Sequence, residues 1–217
     1  PLGIPIAVIS NSSLIGDAEV RADLGKADWV SLKVDAVPEA VWHRIDRPDR
    51  ALSLADILDG ALAFAASFRG ELATETMLAA GVNDSVQVVS ETAQFVARLR
   101  PATAYLAIPT RPPAEGWVQP PDEETINRAF QIMSDQIAHV EYLIGYEGNA
   151  FASTGDAAED LLAITAVHPM REDAVEAFLA RAGAEWQTIH GLVTQGLLVE
   201  MPYGGRKFYL RKLRRSP

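Results

Sequence analysis

The chain has 217 residues, 48% apolar and 22% charged, with a formal charge of −10 and no cysteine. That length suits one large domain, or a medium and a small one, with ample apolar material for a core. The missing cysteines exclude disulfides, cysteine zinc sites and a thiolate-held iron–sulfur cluster within these residues. His43, His139, His168 and His190 are isolated and form no metal-binding pair. No apolar run approaches the roughly 18 residues that cross a bilayer. Residues 1–154 hold 21 acids and 11 bases, whereas 155–217 hold 8 of each. The acidic body argues against broad nucleic-acid binding. The tail, with Arg206, Lys207, Arg211, Lys212, Arg214 and Arg215, leaves a local contact open.

Ile4-Pro5-Ile6-Ala7-Val8-Ile9 is a short branched apolar run ending in Ser10-Asn11-Ser12-Ser13, and reads as a buried strand entering a polar loop. A short helix is expected from about Asp17 to Leu24. Residues 29–35 alternate, so they form a strand with Ser31, Lys33 and Asp35 on one face. Ser53 caps a helix whose apolar stripe is Leu54, Ile57, Leu58, Ala61, Leu62 and Ala65. A strand over 72–78 leads into the turn 81–85, a helix to about Leu99, and a strand over 102–108. The order β-α-β-α-β-α-β implies parallel strands with right-handed crossovers and ligands beyond the strands' carboxyl ends.

A long helix is expected over 122–143, then a linker over 144–155. The remainder, 156–213, reads as helices over 156–165, 171–181 and 184–195 and a hairpin turning at Gly204-Gly205. Three helices and a hairpin are the layout of a winged helix. The third helix carries no Lys or Arg, which favours a protein-contact or substrate-docking module over nucleic-acid readout.

The strand-end segments Ile9-Ser10-Asn11-Ser12, 31–35, Gly81-Val82-Asn83-Asp84-Ser85 and Thr110-Arg111-Pro112-Pro113 occur in the order found in radical S-adenosylmethionine (SAM) proteins. The chain resembles their Fe–S oxidoreductase group related to the tRNA wybutosine-synthesising enzyme and the glycyl-radical activating enzymes. Ile45-Asp46-Arg47-Pro48 stands where that group has an Asn-Arg-Pro-type segment, and the Tyr-Gly-Gly turn is shared. The resemblance implies an α/β fold. Residues 1–143 would form the C-terminal part of a partial (β/α)6 barrel, strands three to six, before the small winged-helix domain. The family's CxxxCxxC and Gly-Gly-Glu segments are absent, so the chain is expected to be a piece of a larger cytoplasmic enzyme, inactive alone. The expected cofactors are SAM and a 4Fe–4S cluster. Cleavage of SAM would give a 5′-deoxyadenosyl radical.

What the resemblance implies for the site is a SAM-binding set of Ser10, Asn11, Lys33, Asp35, Glu75, Met77 and Arg111. Lys33 and Asp35 stand in the reverse of the family's order, and Glu75 is an acid where activating enzymes have a base. Each has a plainer alternative. Lys33 and Asp35 also read as a buried ion pair, Ser10 and Asn11 as a helix cap, Met77 as core, and Arg111 as a solvated loop residue. Asn83-Asp84-Ser85 reads as a cap, and Trp117 and Trp186 as packing. The first strand would be an open edge prone to homodimer or swapped pairing. Two other readings stand beside this one: a winged-helix DNA-binding regulator with an α/β effector domain, and a degenerate barrel acting as a scaffold.

Overall fold

A computed structural model describes residues 3–143, 151 and 153–212. The chain forms two units, Pro1–Pro109 with Trp117–Ile144, and Thr110–Gly116 with Gly145–Pro217.

The first unit runs β1 (Ala7–Ser10), α1 (Ala18–Leu24), β2 (Trp29–Lys33), α2 (Glu39–Asp46), α3 (Leu54–Ser67), β3 (Glu71–Met77), α4 (Val86–Leu99), β4 (Thr103–Ala107), α5 (Glu123–Ser134) and β5 (Val140–Leu143). The strands are all parallel and lie in sequence order β1-β2-β3-β4-β5. Strictly sequential strands joined by right-handed crossovers carry their helices on one face. The helices accordingly pack as neighbours, α1 on α3, α3 on α4, and α4 on α5.

Strand register separates the two faces. Val30, Leu32, Leu72, Ala104 and Leu106 point into a core shared with Phe64 of α3, Val89 and Val96 of α4 and Met133 of α5. Ser31, Lys33, Glu75 and Tyr105 fall on the opposite face, because successive strand residues alternate. There the register aligns Lys33, Glu75, Tyr105 and Glu141 in one row across four strands. α3 begins at Ser53, whose side chain accepts from the Asp56 N–H, and α4 at Ser85, which accepts from Val88. Gly60 lets α3 approach the loop after β1: a Cβ there would lie 2.4 Å from the Ile15 carbonyl oxygen.

Three elements of the first unit differ from the sequence reading. β1, expected to be buried, has Ala7 and Ile9 exposed and Val8 and Ser10 half-buried. α2 was not expected; it is short, and begins after Pro38 with Val41, Trp42 and Ile45 as its apolar side. The helix expected over 122–143 stops at Ser134, and its last part is β5. β4 needs a partner along its free side, and Val140, half-buried against the core, supplies one. The change of period is visible in Tyr142, which stacks on Phe130 with ring centroids 4.3 Å apart and donates to Asn127 at 2.9 Å. The unit is thus a five-stranded parallel sheet where four strands were expected.

The second unit runs α6 (Ala157–Val167), β6 (Met170–Arg171), α7 (Glu172–Ala182), α8 (Trp186–Thr194), β7 (Leu198–Tyr203) and β8 (Arg206–Arg211). Its antiparallel sheet has the order β6-β8-β7. Met170, Phe178, Ile189 and Tyr209 form a separate core. The two-residue β6 is too short to carry a periodic signal. Gly204 and Gly205 both have positive φ, 55° and 71°, which a two-residue hairpin turn of this hand requires. Of the expected linker 144–155, residues 144–150 and 152 lie outside the described residues, as do Arg214 and Arg215. No described helix is long and apolar enough to cross a membrane.

Candidate functional site at the carboxyl end of the parallel sheet

Parallel strands end together, and the side chains at those ends converge. Here Lys33, the last residue of β2, reaches Asp35 with its ammonium 2.9 Å from Oδ2, and Glu75 of β3 at 3.8 Å. The Asp35 side chain is fully buried, while Lys33 and Glu75 are each 27% exposed, so the ammonium stays reachable from solvent. The other Asp35 oxygen accepts from the Met77 backbone N–H at 2.8 Å. Burial alone would lower the Lys33 ammonium, but Asp35, Glu75 and Asp46 outweigh it and hold the group above its ordinary range.

Asp46 is the residue the sequence reading left out of the site. It ends α2 at the rim of a cavity of about 280 Å3, lined also by Asn11, Ser12, Lys33, Asp35 and Trp42. Burial first, then the charge of Asp35 beside it, pushes its carboxyl up to about 7, and Lys33 offsets only part of this. The residue after it, Arg47, adopts φ 48°, so the chain reverses sharply and leaves Asp46 at the rim. Ser12, which also lines the cavity, is 2% exposed with φ 63°, and its hydroxyl has no hydrogen-bond partner among the described residues. Such a conformation costs a non-glycine residue about 1–2 kcal/mol.

A second buried polar group holds the strand ends in place. Asn83 donates from Nδ2 to the Asp35 carbonyl at 2.9 Å and the Met77 carbonyl at 2.8 Å, and its Oδ1 accepts from Ala79 at 2.8 Å. It ties the ends of β2 and β3 together, fixing the spacing of Lys33 and Glu75.

Of the expected site residues, Lys33, Asp35 and Glu75 are brought together, with Met77 joined through its amide. Asn11 lines the cavity, but its Oδ1 accepts from the Ser13 N–H and hydroxyl, and the Ser10 hydroxyl accepts from the Ser12 N–H. These are local turn bonds, and the helix that follows, α1, is capped by Asp17 instead of Ser10 or Asn11. Arg111 belongs to the second unit, where its guanidinium meets the His168 ring. Trp117 is 46% exposed under the Arg44 guanidinium. Asp46 falls in the Ile45-Asp46-Arg47-Pro48 segment that the resemblance matched, but that match assigned it no place in the site. Its role depends on α2 and the Arg47 reversal, neither of which the local pattern reveals. No group of three or more His, Cys, Asp or Glu side chains among the described residues is placed to hold a metal ion.

The chain carries a sequential parallel sheet with a polar constellation at its carboxyl end. It is similar to a domain of pyruvate-formate lyase-activating enzyme from Bacteroides vulgatus, with a TM-score of 0.51 and 22% identity over 66% of this chain and 83% of that one. That likeness shows the fold. In sequence, the chain is 39% identical over 213 residues to a UPF0026 protein of Methanocaldococcus jannaschii, which covers 97% of this chain and 66% of that protein. It is 32% identical over 105 residues to a UPF0026 protein of Synechocystis, 48% of this chain and 39% of that protein. The chain therefore spans about two thirds or less of the relatives it matches. No family model matches it.

Proposed function

We propose that this chain supplies part of the SAM-binding wall of a radical SAM enzyme. The observation that carries this reading is Lys33, held between Asp35 and Glu75 and partly open to solvent, at the carboxyl end of a parallel sheet of radical-SAM-like fold. SAM is a zwitterion bearing a sulfonium. Lys33 suits its carboxylate, whereas the carboxylates of Asp35, Glu75 and Asp46 suit its ammonium, sulfonium and ribose hydroxyls. Asn11 and Met77 stand at the same end of the sheet. A cavity of about 280 Å3 sits below the roughly 300–1,000 Å3 usual for ligand pockets, room for a portion of SAM.

The chain's donors do not fit a 4Fe–4S cluster, since the 217 residues contain no cysteine. In this reading the thiolates come from elsewhere and the chain alone is inactive. A cluster held by such thiolates would supply the electron for SAM cleavage. This chain's part is to bind and orient. Asp35 and Glu75 keep Lys33 charged, the Met77 amide fixes Asp35, and Asn83 fixes both strand ends. The finer resemblance, to the group of the wybutosine-synthesising and glycyl-radical activating enzymes, is part of the same proposal.

For the second unit we infer a winged-helix-like docking module. Trp186-Gln187-Thr188-Ile189-His190-Gly191-Leu192-Val193-Thr194, which forms α8, has no Lys or Arg with which to follow a phosphate backbone.

Equilibrium dialysis with radiolabelled SAM tests the site. Weak, millimolar-range retention, about −4 kcal/mol of binding, is expected. Lys33→Met should abolish it. Equal retention by the variant, or none by the native chain, would count against the proposal.

A further inference from the structure

α2 is a short rod between two joints. It follows Pro38 and leaves through Arg47, whose φ of 48° is strained for a non-glycine residue and is narrowed further by Pro48. Trp42 is its one buried side chain. Asp46 comes four residues later on the same side of the helix, and both line the cavity of about 280 Å3. Leu54, Ile57 and Ala61 of α3 line it as well, so α2 covers a chamber that is apolar at its base and charged at its mouth. Away from the cavity, Arg44 ties α2 to the Gly81 carbonyl at 2.9 Å.

At the mouth the tie is a carboxyl pair. Asp46 hydrogen-bonds Asp35, whose own oxygens already meet the Lys33 ammonium and the Met77 N–H. Two carboxyl groups share a hydrogen bond only when one carries a proton. Asp46 is the one that keeps it, to about pH 7, and it is exposed to solvent, so the proton has a way out. The other charged groups lining the cavity are Lys33, Arg47 and Asp49, with Glu75 on the far side of Lys33 at 3.8 Å. The loop after β1 faces the cavity with neutral Asn11, Ser12 and Ser13. One ammonium already shared by Asp35 and Glu75 does not neutralise a third carboxylate, so an ionised Asp46 is repelled by Asp35.

We propose that α2 is a lid over this cavity, latched by the hydrogen bond that Asp46 donates to Asp35 and opened when that proton gives way to a ligand cation. The exchange balances: the Asp46 O–H bond breaks, the proton passes to water, and the carboxylate pairs with the cation. Loss of the proton to solvent opens the lid without a ligand, and lets Arg47 relax. That the cation is the ammonium or sulfonium of SAM rests on the function proposed above; the latch itself does not. With Asp46 titrating near 7, the latched fraction falls from about nine tenths at pH 6 to about one tenth at pH 8.

Fluorine NMR of the 217-residue protein labelled with 5-fluorotryptophan tests this. Trp42→Phe identifies the Trp42 signal among the four tryptophans. Its broadening by a soluble paramagnetic probe is expected to rise with a midpoint near pH 7 in the ligand-free protein. Asp46→Asn keeps a donor for Asp35 and should stay latched from pH 6 to 8. Asp46→Ala has none, and should be open throughout with unchanged circular dichroism. His43, whose ring lies 4.8 Å from that of Trp42, is kept in both variants and so cannot separate them. A Trp42 signal that pH does not alter, or an Asn variant that opens as the native protein does, would overturn the lid. Millimolar SAM should move the native midpoint to lower pH, because it binds the deprotonated form. An unmoved midpoint while SAM is retained would overturn the exchange and leave the SAM site standing. A native midpoint near pH 7 in a protein that retains no SAM would refute the SAM reading and uphold the latch.

Discussion

Asp46→Asn should make the protein more stable at neutral and alkaline pH, and leave it nearly unchanged only below the ordinary carboxylate range, at about pH 3. The Asp46 carboxyl moves from an ordinary 3.8 to about 7 in the folded chain, because burial and Asp35 both disfavour its charge. An unfolded chain releases this proton near pH 4, whereas the folded chain keeps it to about pH 7. Between those values the folded state binds more protons, so stability falls as pH rises through the window and stays lower above it. A shift of about 3 units is worth up to about 4 kcal/mol. Asp46 is partly open to solvent at the cavity rim, and screening reduces this to about 1–2 kcal/mol. Asn removes the charge and keeps the shape. Urea unfolding followed by tryptophan fluorescence reports on the first unit, which holds Trp29, Trp42 and Trp117 of the four tryptophans. The stability difference between variant and native protein should grow from near zero at about pH 3 to about 1–2 kcal/mol at about pH 8. A difference independent of pH, or a variant less stable at pH 8, would refute the reasoning.

Three other outcomes follow from the same packing. Asn83→Ala leaves the Asp35 and Met77 carbonyls and the Ala79 N–H without their buried partner, and should cost about 2–4 kcal/mol by the same unfolding assay. Gly60→Ala puts a methyl 2.4 Å from the Ile15 carbonyl oxygen, so despite alanine's better helix propensity it should lose about 1–3 kcal/mol. Gly205→Val forces a β-branched residue to φ 71° in the hairpin; it should lower the melting temperature of the second unit while leaving the sheet amides of the first unit protected from hydrogen exchange.

The sequence carried the parallel strands because each is a short run with its own period, and because polar residues cluster at each strand's end. Lys33, Asp35 and Glu75 were legible for that reason: two share a strand face, and strand register supplies the third. β5 was hidden because the residues after α5 continue an apolar pattern that suits a helix as well as a strand. The need of β4 for a partner settles the matter, and that is a tertiary fact. Asp46 was hidden because an eight-residue helix has a weak signature and the left-handed Arg47 has none. Asn83 was rightly read as belonging to a turn, yet its side chain spans from β3 to the end of β2. A long-range bond of that kind leaves no mark on local spacing. Arg111 looked like a strand-end residue because it follows β4 so closely in sequence, but its contact is with His168 in the second unit.

Lys33 and its carboxylates are the proposed SAM-binding cluster. The most direct measurement is a 15N-resolved NMR titration of the 217-residue protein with SAM, which registers binding even in the millimolar range. The account predicts that amide shifts concentrate at residues 11–13, 33–36, 46–47 and 75–77, and that Lys33→Met removes them. Shifts confined to other surfaces, or none at these residues up to millimolar SAM, would contradict it.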